Sequence, residues 1–260
     1  MAKEKKKLTE NNESQDEMGF LDHLEELRKR IIYAVLALVI CCIFTGIFIN
    51  KIMDLILLGP AARVGLLLQN LRPFGQPFLY FKIILLSGLI LSIPLMLYQL
   101  WKFIAPGLYS KERSWVRVIT FFTSLCFFTG IAFSYFVMIP SMLAFAASFG
   151  TDKIKNQIDV NEYLSFITMI LLASGILFEM PMVSYVLSRV GILKPNFLSK
   201  YRRHSIVVIL IIAAVATPTP DPISQLIFAA PLFVLYEISI VISRIASKKK
   251  KKEELNAETE

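Results

Sequence analysis

Cysteine is scarce in this sequence, and nothing surrounds it that could use it. The three cysteines are Cys41, Cys42 and Cys126, all inside apolar runs. Adjacent cysteines make a poor disulfide and no CxxC occurs, so a redox or structural-metal role is excluded and small apolar packing residues are expected. There are only two histidines, His23 and His204, far apart in the chain. His23 stands beside Asp22, Glu25 and Glu26, but lacks the rigid constellation that metal sites draw on, and no metal is expected. GxSxG, HExxH, the P-loop and GxGxxG are all missing, which removes the common hydrolase, metalloprotease and nucleotide-binding readings. Charge is sparse as well, at 18% of residues.

What the chain has instead is hydrophobic length. Of 260 residues, 55% are hydrophobic, and the mean hydropathy is +0.60. A soluble domain needs far less apolar content, and several runs approach or exceed the ~18 residues that span a bilayer. The expected fold is all-α: a polytopic membrane protein. Spans are expected at 31–49, 78–98, 118–139 (closed by Pro140), 163–187 (interrupted by Glu179 and Pro181), 205–216 and 223–242. Residues 1–18 are expected to be a disordered tail, 19–244 a six-helix transmembrane domain and 245–260 a charged tail. The first run is long and lacks a small-residue cleavage site, so an anchor is expected there.

Lys and Arg orient the bundle. They crowd the first tail, the loops 99–117 and 189–204, and the last tail, which carries Lys248 to Lys252. The other side has Lys51, Arg63, Arg72, Lys153 and Lys155. By the positive-inside bias both termini are cytoplasmic. That parity requires 205–216 to cross, although these 12 residues, all apolar but Ser205, reach only about 18 Å of a ~30 Å core. The net charge of +8 is accounted for by orientation and attraction to anionic lipid, and no nucleic acid partner is expected.

The first span is preceded by FLDHLEELRKR, Phe20 to Arg30. Phe20, Leu24, Leu27 and Ile31 form one apolar stripe, and Glu25–Lys29 and Glu26–Arg30 have i,i+4 spacing. The helix either lies on the membrane surface or presents carboxylates to a cationic partner. Glu112 sits between Lys111 and Arg113 on the same expected side. It is either solvated or, with Glu26, one of two carboxylates that each take a guanidinium.

Glu179 is the costly residue, since a charged side chain at mid-membrane costs about 2.5–3.5 kcal/mol on insertion scales. It is either hydrogen-bonded within the bundle, with the Leu177 carbonyl freed by Pro181 as a partner, or it faces a polar cavity. Glu237 is expected to snorkel or to pair between helices. Asp221 is expected to cap the helix from Ile223, and Gln225 to hydrogen-bond at that end.

Taken together, FLDHLEELRKRI, YQLWKFIAPGLYSKER (Tyr98–Arg113), SYF-V-IP (Ser134–Pro140), YLSF (Tyr163–Phe166), FEMP (Phe178–Pro181) and TPTPDPISQ (Thr217–Gln225) resemble the TatC family, the multispanning receptor subunit of the twin-arginine protein translocase. Order, spacing and sidedness make the set specific from Gly19 to about Arg244. The resemblance implies a glove-like, concave bundle of six helices. It implies docking of folded precursors by twin-arginine signal peptides, nucleation of the translocation complex, and transport driven by the proton-motive force without a cofactor. It places Glu26 and Glu112 at the arginine pair, Phe103 and Leu108 in the same patch, and Glu179 in the concave pocket. The implied location is the bacterial cytoplasmic membrane. The implied partners are the signal peptides, single-span TatA- and TatB-type subunits, further TatC copies and membrane lipid. The competing function is a proton-coupled small-solute transporter using Glu179. That class would show several midplane polar residues and an internal repeat, whereas one acid is central here.

Overall fold

Long apolar stretches with little to interrupt them fold as long helices, and the order of elements is almost wholly helical. The computed structural model describes residues 2–104, 113–148, 157–217 and 222–258. Helix α1 (Ala2–Ile47) joins the amphipathic stretch to the first span without a break. It also runs back through residues 2–18, where a disordered tail is expected from composition; no proline separates them from the span, and the one glycine between, Gly19, weakens a helix without ending it.

Short pieces follow: α2 (Ile49–Met53), a π-helical turn (Asp54–Leu58), α3 (Gly59–Val64) and the three-residue strand β1 (Leu67–Gln69). Then come α4 (Gly75–Ile104), α5 (Arg113–Phe133), a second π turn (Ser134–Met138) and α6 (Ile139–Ser148). Strand β2 (Gln157–Asp159) leads into α7 (Val160–Leu177) and α8 (Met180–Val190). The chain continues as α9 (Pro195–Lys200), α10 (Arg202–Ala216) and α11 (Pro222–Glu258). Among the described residues five stretches are long and apolar enough to cross a membrane: 23–47, 75–104, 116–148, 160–190 and 222–250. The 15 residues of α10 fall short of that length.

Pro140 does not close the third span. It is the second residue of α6, where a missing N–H costs nothing, so the helix continues to Ser148. The π turn just before it takes up the irregularity. The two π turns are tied together, since the Tyr135 hydroxyl donates to the Leu55 carbonyl. Gly59 permits this: a Cβ there would stand 2.6 Å from the Tyr135 oxygen. Arg63 covers the same place, 5.5 Å from the Tyr135 ring centre and 5.3 Å from that of Phe136.

The main core lies among α4, α6, α7, α10 and α11, around Ile83, Ile139, Leu164, Ile167, Ile170, Phe228 and Leu232, all buried. Close approach is made by small residues. At Gly88 a Cβ would lie 2.4 Å from Cys42 Sγ and 2.9 Å from Cys42 Cα, so α1 and α4 touch backbone to backbone. Gly130 and Gly175 do the same for α5 and α7, making room for Phe178 and Phe127 respectively. Ile32, Leu36, Val39 and Ile43 of α1 are exposed and face where lipid would be.

One end of the bundle is fastened by β1 and β2, which pair in parallel with Leu67 opposite Gln157 and Gln69 opposite Asp159. Asp159 caps α7, accepting from the backbone N–H of Asn161 at 2.8 Å and of Glu162 at 3.2 Å, and also from that of Leu71 at 3.2 Å. Burial pushes its carboxyl up, but those three N–H groups, with Arg72, outweigh burial and hold it below the usual carboxylate range. A depressed folded-state pKa favours the folded protein above the ordinary carboxylate pKa of about 4. The contribution is lost as pH falls through the lower, folded value. Asp159→Ala is therefore expected to lower the thermal midpoint at neutral pH, while Asp159→Asn keeps an acceptor and loses the acid dependence. Thermal unfolding in detergent across the acid range checks this; identical pH profiles for wild type and Asp159→Asn would refute it.

Candidate functional site

The other end of the bundle holds the residues singled out in the middle of α1, just ahead of the first span. Acidic residues precede basic ones here, as the helix favours, and both i,i+4 pairs form. Lys29 lies 2.8 Å from Glu25 on the exposed side, and Arg30 lies 2.8 Å from Glu26 against α4. The exposed pair contributes little, because solvent and salt screen it. The second pair differs in its surroundings: the Glu26 side chain is 33% exposed and that of Arg30 18%.

Antiparallel packing of α1 on α4 sets what faces Glu26. Arg30 Nη1 donates to Gln99 Oε1 at 3.4 Å. One turn before Glu26, the His23 ring stacks on Phe103, with centroids 4.4 Å apart and planes at 20°. Lys102 points elsewhere, 5.7 Å from the Tyr98 ring centre. Glu26 and Phe103 are thus brought to one junction, joined through His23, Arg30 and Gln99. Leu108 and Glu112 lie outside the described residues, as does Asp221. The sequence reading passed over Gln99 although it lies within YQLWKF, because an uncharged amide gives no signal until its partner is known.

The opposite face of α4's last turns forms the wall of a second feature. Leu97, Leu100, Trp101 and Ile104, with Phe127 of α5 and residues of α7 and α8, line an open cavity of about 610 Å³. Trp101 is fixed by its indole N–H, which donates to Thr123 Oγ1 at 3.3 Å. Among the described residues that line this cavity, Glu179 is the one ionisable side chain. It stands at the break between α7 and α8: Pro181 lies in the first turn of α8, and the Val183 N–H donates to the Glu179 carbonyl at 2.9 Å. Its Oε1 is buried and has no partner among the described residues. No hydrogen bond joins it to the Leu177 carbonyl; the backbone of Phe127 lies against the carboxyl, and the residue stands in the cavity wall.

Glu237 pairs between helices, 2.8 Å from Arg202 of α10, with both side chains about half exposed. Gln225 Nε2 donates to the Leu210 carbonyl at 2.9 Å, tying the start of α11 to α10. Near the far end of α11, Lys250 Nζ donates to the Val190 carbonyl at 3.0 Å, beside Gly191 with φ +94°. A buried contact of 2.6 Å between the Ser188 and Ser243 hydroxyls lies close by. Lys82 of α4 is exposed, 3.5 Å from Ser165 Oγ.

The family model for the Sec-independent protein translocase protein TatC matches residues 22–231. That protein from Halothiobacillus neapolitanus is 37% identical over 237 residues, which is 89% of this chain and 64% of the relative's length. TatC of Carboxydothermus hydrogenoformans is 36% identical over 232 residues, covering 89% of this chain and 95% of the relative. TatCy of Bacillus subtilis is 36% identical over 238 residues, covering 91% and 93%. A crystal structure of the twin arginine translocase receptor TatC superposes with a TM-score of 0.76 at 35% identity, covering 86% of this chain and 99% of that one.

Proposed function

The chain belongs to the TatC family of Sec-independent protein translocase proteins, and on that premise we propose that it is the receptor that docks folded precursors by their twin-arginine signal peptides. It is a multi-pass membrane component of a protein translocase and not an enzyme. The observation that carries the proposal is the state of Glu26. Its side chain is one-third exposed at the α1–α4 junction and its carboxylate already accepts from a guanidinium, at 2.8 Å. A carboxylate with more acceptor positions than Arg30 fills is suited to take a second. Glu112 serves the other arginine of the pair, and Phe103 and Leu108 complete the patch.

Binding a signal peptide there nucleates the translocation complex, with single-span TatA- and TatB-type subunits and further TatC copies joining. The proton-motive force drives transport. Glu179 offers the cavity's polar contact to a partner helix or to the signal peptide. Membership of a protein-translocase family removes the ground for a small-solute transporter. The direct test is binding of synthetic peptides to the purified full chain in detergent. An RR signal peptide is expected to bind and its KK version to bind much more weakly; equal affinities would overturn the proposal.

Six spans with both termini in the cytoplasm of a bacterial inner membrane is the topology that accompanies this function. Three things support it: the Lys and Arg asymmetry, the β1–β2 pair that holds two loops at one end, and the Lys250–Val190 contact that puts the ends of α8 and α11 at the other. With the native cysteines replaced, a cysteine at Gln69 is expected to react with an impermeant reagent from outside intact cells. One at Lys194 is expected to react only after permeabilisation, and the reverse pattern would sink this topology.

A further inference from the structure

We propose that the groove between α4 and α7, at the β1–β2 end, is a site for one anionic phospholipid. Its phosphodiester sits on Lys82 and Arg72, and an acyl chain runs along Phe166 and Met169. The groove opens on the surface that faces lipid. On α4, Phe78, Phe81, Lys82 and Leu85 share one stripe and are all exposed. On α7, Glu162, Ser165 and Met169 do the same. Between the two stripes lies an open pocket of about 250 Å³, with Arg72 just ahead of α4 at its rim.

Lys82 stands inside the span, about 10 Å from the start of α4 at 1.5 Å per residue. A cation at that depth is costly unless it reaches water or an anion. Its Nζ reaches across to α7, donating to Ser165 Oγ at the long distance of 3.5 Å. That hydroxyl is already engaged, donating to the Asn161 carbonyl at 2.8 Å. Among the described residues no carboxylate pairs with Lys82. The acid of the rim, Glu162, faces Arg72 instead, at 3.8 Å, which is an ion pair too loose to use up the guanidinium's donors. Lys82 and Arg72 against Glu162 leave the groove with a net positive charge, and a phosphodiester carries one negative charge. A basic pocket between spanning helices suits such a head group. A soluble phosphate would meet the same cations, but the groove continues inward as Phe166 and Met169, one and two turns deeper than Glu162. Phosphate at one end and hydrocarbon at the other is the chemistry of a lipid. A zwitterionic head brings its own ammonium, which Lys82 and Arg72 repel.

The test uses the full chain in phosphatidylcholine nanodiscs holding a small fraction of phosphatidylglycerol with a diazirine in its acyl chain. Both leaflets carry the probe, so the result is independent of which end of the bundle faces outward. Labelling of the peptide with Phe166 and Met169 is measured against that of the exposed α1 stripe, Ile32 to Ile43, which reports lipid in general. Unlabelled phosphatidylglycerol is expected to lower this ratio, and phosphatidylethanolamine or soluble glycerol phosphate to leave it in place. Lys82→Gln is expected to lower it about fivefold, and Glu162→Gln, which frees Arg72, to raise it. Lys51→Gln removes an exposed cation at the same end but outside the pocket lining, and is expected to change nothing. If Lys82→Gln does not accumulate, Glu162→Gln and Lys82→Arg decide: a raised and a retained ratio support the site, and a fall in both overturns it. A ratio untouched by Lys82→Gln overturns the proposal and leaves Lys82 a cation that snorkels to water. An equal fall in Lys51→Gln overturns it in favour of a general charge effect. Equal competition by phosphatidylethanolamine overturns the anionic head group, and competition by glycerol phosphate overturns the lipid.

Discussion

Glu26→Gln weakens RR-peptide binding by roughly 10- to 150-fold: that is the expected result if a hydrogen bond to a charged group, worth about 1.5–3 kcal/mol, is lost at the site. The amide keeps the shape of the side chain and its contact with α4, so packing changes little. It loses the charge, and only one of its two terminal atoms still accepts. Glu112→Gln is expected to act to the same extent, and the double variant to approach the affinity for KK. Reversal to Lys at either position should be worse than neutralisation, because repulsion is added to the lost bond. Salt should weaken wild-type binding, since Glu26 is partly exposed and screening reaches it. Peptide titrations of the four proteins against RR and KK at two ionic strengths measure all of this. Both single variants discriminating as well as wild type would place the recognition site elsewhere.

Glu179 gives the second large effect, and an unusual one, because stability and activity should move in opposite directions. One of its oxygens is buried without a partner among the described residues, in the wall of a cavity of about 610 Å³ whose other described lining side chains are largely apolar. Leaving a buried polar atom unpaired is costly by about 1–3 kcal/mol, and an apolar residue of similar size removes that cost. Glu179→Leu is expected to raise the thermal midpoint in detergent while lowering transport of a twin-arginine precursor by tenfold or more. Glu179→Gln keeps a polar group facing the cavity and is expected to retain most transport. Two variants with wild-type transport would show that the acid has no role there. A Leu variant that is both less stable and less active would show a structural role instead.

The helical class was legible because hydrophobic length is a property of the chain alone. The break at Glu179 was legible because Pro181 removes an N–H. Pro140 misled for a related reason: its effect depends on where in a helix it falls, and the π turn ahead of it makes it a first-turn residue. The β1–β2 pair could not be read, since it joins two three-residue segments some ninety positions apart through backbone groups. At the site, Glu26 and its spacing from Arg30 were visible, being local to one helix. That Gln99 and Phe103 stand against Arg30 and His23 was not, because it follows from the register of α1 on α4. Gly88 and Cys42 set that register by their close approach, and neither residue suggests it in sequence.

Each π turn amounts to one extra residue lodged in a helix. The turns at 54–58 and 134–138 are joined through Tyr135 and Leu55, so they act as matched insertions. Deleting one residue from 134–138 would let the segment anneal into plain α-helix. The wider turn already absorbs that residue, so everything beyond would keep close to its present phase, with Ile139, Met142 and Leu143 still on the core. The same deletion in the plain helix before it would rotate everything beyond by about 100° and retract it by about 1.5 Å. The third span therefore carries one residue of slack, and carries it in the π turn. A single-residue deletion scan across 125–148 is expected to find its best-tolerated positions inside 134–138, and a scan with none tolerated there would contradict that.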